Sequence, residues 1–296
     1  MSVKKRKNFK ALSVGLAFIF PNLVCFVLFT LIPVIAGLAI SFTNYDGFGT
    51  MEFIGLDNYI KLFQDEYFYI SLTNNVIFML ICVPLELIWG LLLALGLSKH
   101  SKLNPILKVL FFFPTITSMV VVSIVWMVLL NPVQGPINQA LLSLGISEPP
   151  GWLTSSTWAL ITIIFIMAWK SAGYYMVLFL GGLQSIPEAL YEAAEMDGAT
   201  GFKRFWHITL PMLSPTTFMV TILAIINSFK VFDAIKIMTE GGPGRATNVL
   251  VYRIYQESFQ YYRFGYGSAI AMILFLIVLI ITLVQFRGQK KWVNYF

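Results

Sequence analysis

The chain is 296 residues long, 58% hydrophobic and only 11% charged, with a formal net charge of +6. A charged share this far below the usual quarter of soluble domains excludes a water-soluble globular domain and places the chain in a bilayer. The two cysteines, Cys25 and Cys82, both lie in apolar runs and read as small buried hydrophobes, implying neither a disulfide nor a metal pair.

In chain order, residues 1–11 form a basic N-terminus carrying Lys4, Lys5, Arg6, Lys7 and Lys10. The apolar run beyond it is too long for a signal-peptide core and lacks a small-residue cleavage site, so it reads as a retained first span. Six runs reach the length needed to cross about 30 Å of hydrocarbon, at 12–42, 72–98, 107–130, 156–182, 212–237 and 266–286. Each is expected to be a helix, because an open strand edge cannot stay unpaired in lipid. Pro21 and Pro33 predict a kink in the first. The expected fold is an all-α integral membrane protein. Residues 12–71 supply the first span and an outside loop, 72–286 a core of five spans, and 287–296 a tail.

Lysines and arginines set the orientation. With the N-terminus inside, thirteen of the twenty fall on inner segments: Lys4, Lys5, Arg6, Lys7, Lys10, Lys99, Lys102, Lys108, Lys203, Arg204, Arg287, Lys290 and Lys291. Asp46, Glu52, Asp57, Asp65, Glu66 and Glu148 fall outside. The positive-inside rule puts both termini and the loop 183–211 in the cytoplasm. The basic balance therefore reflects topology. No basic patch interleaved with aromatics is present, and no nucleic-acid partner is expected.

The outside loops are punctuated by Gly and Pro. Residues 43–71 contain Gly55-Leu56-Asp57-Asn58-Tyr59, and 131–155 contain Asn131-Pro132, Gly135-Pro136 and Pro149-Pro150. Short amphipathic helices on the membrane face fit both. The loop 183–211 is the most polar and best-capped segment between two apolar runs. Ser185 and Glu188 are spaced as a capping box, Pro187 falls in the first turn, and Gly198 is placed to close the helix in a left-handed conformation. A helix is predicted from about Ile186 to Asp197, with Glu188, Glu192 and Glu195 on an acidic stripe. Ile186, Ala189, Ala193 and Met196 fall on a roughly opposite apolar one. A second helix is predicted from Thr200 until Pro211 stops it. Taken alone, this is an amphipathic loop helix with a solvated acidic face.

The pattern Glu192-Ala193-Ala194, three residues, Gly198, nine residues, Ile208-x-Leu210-Pro211 resembles the cytoplasmic "EAA" loop of membrane-spanning subunits of binding-protein-dependent ABC importers. The resemblance implies the six-helix permease fold of type I importers in a bacterial cell membrane. It also implies a coupling helix seated on an ATPase subunit, with Glu192, Ala193, Ala194, Asp197, Gly198, Ile208, Leu210 and Pro211 as coupling residues and Glu192 as the anchor. The carbohydrate branch is indicated by Phe232-Asp233, Thr239-Glu240-Gly241-Gly242-Pro243, Trp169…Gly173-Tyr174 and Gly182-Leu183-Gln184-Ser185-Ile186-Pro187, which resemble the maltose, glycerol-phosphate and multiple-sugar permeases.

Polar residues within spans are costly and tend to line a pathway. These are Glu86 in the second span, Lys170, Ser171 and Tyr174 beside Trp169 in the fourth, and Asn227, Ser228 and Lys230 in the fifth. An amide, hydroxyls and aromatic faces suit a sugar. The fourth- and fifth-span positions also match those the resemblance implies for a sugar site. Lys170 is the departure, since the maltose relative is apolar there. Three roles stand open for it: contact with an acidic glycan, a pair with Glu86, or bonding to helix carbonyls.

The chain carries no phosphate-binding Gly-x-x-x-x-Gly-Lys-Ser/Thr loop and no HExxH, and His100 and His207 both lie in cytoplasmic loops. It reads as a non-catalytic subunit that binds no cofactor, ATP and Mg lying on a partner ATPase. The implied partners are a second homologous permease, an ATPase dimer, an extracytoplasmic solute-binding protein and a sugar, within membrane lipid. The competing class is an ion-coupled secondary transporter or channel, for which inverted repeats and buried acids are the signature. Only Glu86 meets that description.

Overall fold

A helix satisfies its own backbone, so in hydrocarbon every long apolar run of this chain folds as one. The computed structural model describes residues 18–98 and 103–293. The basic cluster Lys4 to Lys10, and Lys99, His100 and Lys102 of the first inner loop, lie outside those residues. In chain order the helices are α1 (Phe18–Ile40), α2 (Asp57–Gln64), α3 (Glu66–Ser98), α4 (Asn104–Ile116), α5 (Met119–Leu129), α6 (Pro136–Ser143), α7 (Ala159–Gln184) and α8 (Glu188–Met196). There follow α9 (Gly201–Arg204), α10 (Ser214–Phe229), α11 (Asp233–Met238), α12 (Leu250–Tyr255) and α13 (Phe264–Gly288). Among the described residues the only extended pairing is an isolated bridge between Thr43 and Phe53.

Five stretches are long and apolar enough to cross a membrane: α1, α3, α7, Ser214–Met238 and α13. The stretch 107–130, expected as one straight span, is instead α4 and α5 meeting at 95°. Thr117 and Ser118 are both extended, with ψ of 139° and 136°. Thirteen and eleven residues rise only about 20 and 17 Å, so neither half crosses the hydrocarbon by itself. The distortion expected of α1 takes the form of a π-helical stretch, Val27–Leu31, just ahead of Pro33. There the Ile32 N–H reaches back to the Val27 carbonyl.

Contacts divide the chain into two units. The first comprises described residues up to Gln64 together with Ile254–Met272. In it, α1 has no buried residue, and an evenly apolar helix of this kind needs lipid or another chain around it. The Gly55–Tyr59 segment is a structural clamp. Buried Asn58 donates to the Ser41 and Thr43 carbonyls at 2.9 and 2.8 Å, and the Tyr59 hydroxyl lies 2.7 Å from Ser41 Oγ. A Cβ at Gly265 would collide with the Thr43 carbonyl, so only glycine allows this approach.

The second unit comprises Asp65–Arg253 and described residues from Ile273 onward. Its core is Val83, Ala94 and Leu97 of α3, Tyr175, Met176, Phe179 and Leu180 of α7, and Val220 and Ala224 of α10. Small residues permit the close approaches. A Cβ at Gly90 of α3 would sit 2.6 Å from the Tyr175 Cβ, and one at Gly173 of α7 would run into the Phe111 carbonyl of α4. At one end of this unit the Gly241-Gly242-Pro243 loop closes α11 and is stitched to α3. Gly241 has φ +80°. Asn74 donates to the Arg245 and Asn248 carbonyls at 3.0 and 2.9 Å, and the Leu250 N–H donates to Asn75 at 2.8 Å.

Candidate functional site

The inner loop was expected to open with a capping box, and it does not. Ser185 ends α7, and its hydroxyl donates to the Gly182 carbonyl at 2.7 Å. Pro187, in extended backbone, is the N-cap of α8 in place of a first-turn residue, so the helix starts at Glu188, two residues later than predicted. Its end is as expected. Gly198 has φ +71°, the Ala199 N–H reaches the Ala194 carbonyl at 2.8 Å and the Gly198 N–H the Glu195 carbonyl at 3.0 Å. These two crossed bonds satisfy the last carbonyls.

No residue of α8 is buried. The predicted apolar stripe divides: Ile186 is covered, whereas Met196 is 89% exposed. Glu192, Ala193, Asp197 and Gly198 are exposed and Ala194 half-buried. Pro211 does not stop the second helix either. From α9 the chain continues through π-helical Phe205–Thr209 and Leu210–Met212 almost directly into α10. The wider π turns end just before the proline, where a missing N–H leaves only one carbonyl unbonded. Ile208, Leu210 and Pro211 are half-buried in this second arm. The Tyr191 hydroxyl lies 3.0 Å from Thr209 Oγ1 and Arg204 pairs with Glu195 at 3.3 Å, so the two arms are tied together. Phe202 and Trp206, with rings 6.2 Å apart, stay 74% and 51% exposed. These aromatics in a polar loop were the signal that charge patterning passed over. With Met196 they make the loop amphipathic towards something outside the chain.

The intramembrane polar residues sort into three groups. Glu86, Ser171 and Asn227 belong to one seam. Glu86, 4% exposed, faces the side chains of Ser171, Cys82 and Tyr175, and the Tyr175 hydroxyl is shared with Asn227. Tyr175 and Cys82 were not predicted here. Lys170 and Ser228 are spent on backbone. The Lys170 amine donates to the Thr115 carbonyl at 3.0 Å while the Thr115 hydroxyl donates to the Lys170 carbonyl at 2.9 Å. The proposed pair with Glu86 is therefore absent, and the lysine caps the last turn of α4 at the break. The Ser228 hydroxyl donates to the Ile225 carbonyl at 2.7 Å within its own helix. Trp169, Tyr174 and Lys230 remain exposed.

Trp169 meets Trp126 edge to face at 5.6 Å. Both line a cavity of about 830 Å³ at the break, walled also by Trp89, Phe113, Pro114 and Val122. A smaller one of about 360 Å³ beside it adds Trp152 and Trp158. Among the described residues no cluster of three His, Cys, Asp or Glu side chains could hold a metal ion.

The family model described as "Binding-protein-dependent transport system inner membrane component" matches residues 86–289. The probable ABC transporter permease protein YurN of Bacillus subtilis (strain 168) is 36% identical over 277 residues, 92% of this chain and 94% of that protein. The lactose transport system permease protein LacF of Rhizobium radiobacter is 34% identical over 283 residues, covering 94% of each. Among solved structures, a chain of the bacterial alginate ABC transporter in complex with alginate pentasaccharide-bound periplasmic protein superposes with a TM-score of 0.85. It is 26% identical, with 96% of each chain covered.

Proposed function

Because the chain belongs to the family of binding-protein-dependent transport system inner membrane components, we propose that it forms half of the translocation pathway of an ATP-driven sugar importer. The observation that carries the proposal is the inner loop. Its complete pattern, Glu192-Ala193-Ala194 to Leu210-Pro211, folds as two tied helical arms that leave Met196, Phe202 and Trp206 exposed. An apolar, acid-flanked surface of this kind fits a groove on an ATPase. The thirteen inner-side lysines and arginines support a cytoplasmic position for this loop and for both termini.

In this reading ATP and Mg are held by two ATPase subunits, and a second permease supplies the other half of the pathway. A solute-binding protein delivers an oligosaccharide or sugar derivative to the outer face. Closure of the ATPases moves the loop, with Glu192 as anchor, and the spans rock to expose a site near Trp169, Ser171, Tyr174 and Asn227. The lactose and alginate relatives support a sugar as the cargo.

The experiment is to co-express the chain with a second permease and an ATPase, purify the assembly, and measure ATP hydrolysis with and without a sugar-loaded binding protein. Joint purification and stimulated hydrolysis are expected. A stable lone chain that transports in liposomes without ATP would overturn the reading.

A further inference from the structure

Two pairs of side chains face each other across the most intimate helix contact of the second unit. On α3 they are Cys82 and Glu86, on α7 Ser171 and Tyr175, each pair four residues apart and so on one helix face. Glu86 forms no ion pair, the nearest candidate cation, Lys170, being turned to the Thr115 carbonyl. A carboxyl kept in mid-span without a cation is costly to retain, and such residues are functional in membranes far more often than decorative. One turn further along α3, Gly90 lets the Tyr175 backbone lie against it, since a Cβ there would sit 2.6 Å from the Tyr175 Cβ. Tyr175, 1% exposed, is thus fixed at its base by Gly90 and at its tip by Glu86 and Asn227. Asn227 is the exposed end of this seam.

We infer that Glu86 is a positioning residue of the sugar pathway: it accepts the Ser171 and Tyr175 hydroxyl protons, and so orients Ser171 and, through Tyr175, Asn227. With its proton donated to Glu86, the Tyr175 oxygen accepts from the Asn227 amide N–H, which leaves the Asn227 carbonyl oxygen outward. The Ser171 oxygen is likewise left as an acceptor. The seam then offers acceptors to the hydroxyl donors of a sugar, in one arrangement set from behind. The inference rests on the sugar-importer reading.

The test uses the assembled transporter in liposomes with its binding protein, lactose as neutral probe and alginate pentasaccharide as acidic probe. Glu86→Ala is expected to lower sugar moved per ATP hydrolysed by about tenfold, the scale of losing a hydrogen bond to a charged group. Glu86→Gln, which keeps an acceptor in place, is expected to stay within about threefold of wild type. Tyr175→Phe, which removes only the connecting hydroxyl, is expected to match Glu86→Ala and serves if that variant fails to assemble. A fall of uptake and hydrolysis in equal proportion, or a Gln variant as impaired as the Ala one, would assign Glu86 to scaffolding and overturn the inference. A readout independent of sugar is the fluorine resonance of 3-fluorotyrosine placed at position 175. It is expected to shift with Glu86→Gln and with Asn227→Ala, and an unmoved resonance would also overturn the inference. If wild type moves neither probe with ATP, the sugar reading falls while the fluorine signal still decides the Glu86 to Asn227 link.

Discussion

Phe202→Ala isolates the docking surface of the inner loop. The ring is 74% exposed and its only ring neighbour is Trp206, at 6.2 Å, so its removal leaves no cavity behind. A phenylalanine carries roughly 200 Å² of side-chain surface, of which the exposed share is roughly 150 Å². If an ATPase covers half of that, the contact is worth about 2 kcal/mol at ~25 cal/mol per Å², or an affinity loss of about thirtyfold. The assay is titration of a fluorescently labelled ATPase subunit against the permease pair in lipid nanodiscs. Alanine favours helix, so α9 should persist, and circular dichroism of the variant should match wild type. The loss should be the same at 50 and 500 mM salt, because an apolar contact is not screened. An affinity within about twofold of wild type, or a loss that disappears at high salt, would refute the reasoning.

Gly90→Ala drives a methyl to 2.6 Å from the Tyr175 Cβ and 3.0 Å from its carbonyl carbon. Neither can swing aside, so overpacking of about 1–3 kcal/mol is expected as a lowered unfolding midpoint; an unchanged midpoint would contradict the contact. Lys170→Met removes the cap on the Thr115 carbonyl. Because the lysine is partly exposed, the expected cost is at the low end for charged hydrogen bonds, about 1.5 kcal/mol. Uptake of neutral and acidic sugars should fall alike, and selective loss of the acidic one would return the lysine to the pathway. In the outer loop, the Phe48 and Gly49 N–H groups, at 2.9 and 2.8 Å, hold the Asp46 carboxyl below its ordinary value. A lowered folded value means that the turn is fully stabilised above about pH 4 and loses that support as pH falls through the lower value. Exchange of those two amides should accelerate only below about pH 4, and acceleration on going from pH 7 to 5 would contradict the assignment.

Which features were legible follows from their range. Span positions were readable because hydropathy alone decides whether a segment enters lipid, and the end of α8 was readable because Gly198 has one local way to stop a helix. The opening of α8 was not. Ser185 could cap forwards or close the helix behind it, and only the continuation of α7 to Gln184 decides between the two. The third span misled for a similar reason. Pro114 marks a weak point, but the turn at Thr117 and Ser118 holds because a lysine fifty-five residues away caps it, and window composition cannot carry that information. In the polar seam, Glu86 stood out as an acid among hydrophobes. Its neighbours did not, since Cys82 and Tyr175 look ordinary in an apolar run until two helices bring their faces together.

The bend between α4 and α5 also bears on how the protein is made. The chain reaches the membrane in order, so residues 104–129 arrive before the span that carries Lys170. As one straight helix of 26 residues that segment would be about 39 Å long and would insert unaided, whereas the two halves at 95° could not. Insertion and final shape thus ask for different conformations of the same segment. The bend can become lasting only once α7 is beside it, when the lysine amine and the Thr115 carbonyl meet. The biogenesis machinery must therefore hold or shelter this hairpin-sized stretch until the rest of the bundle has been synthesised.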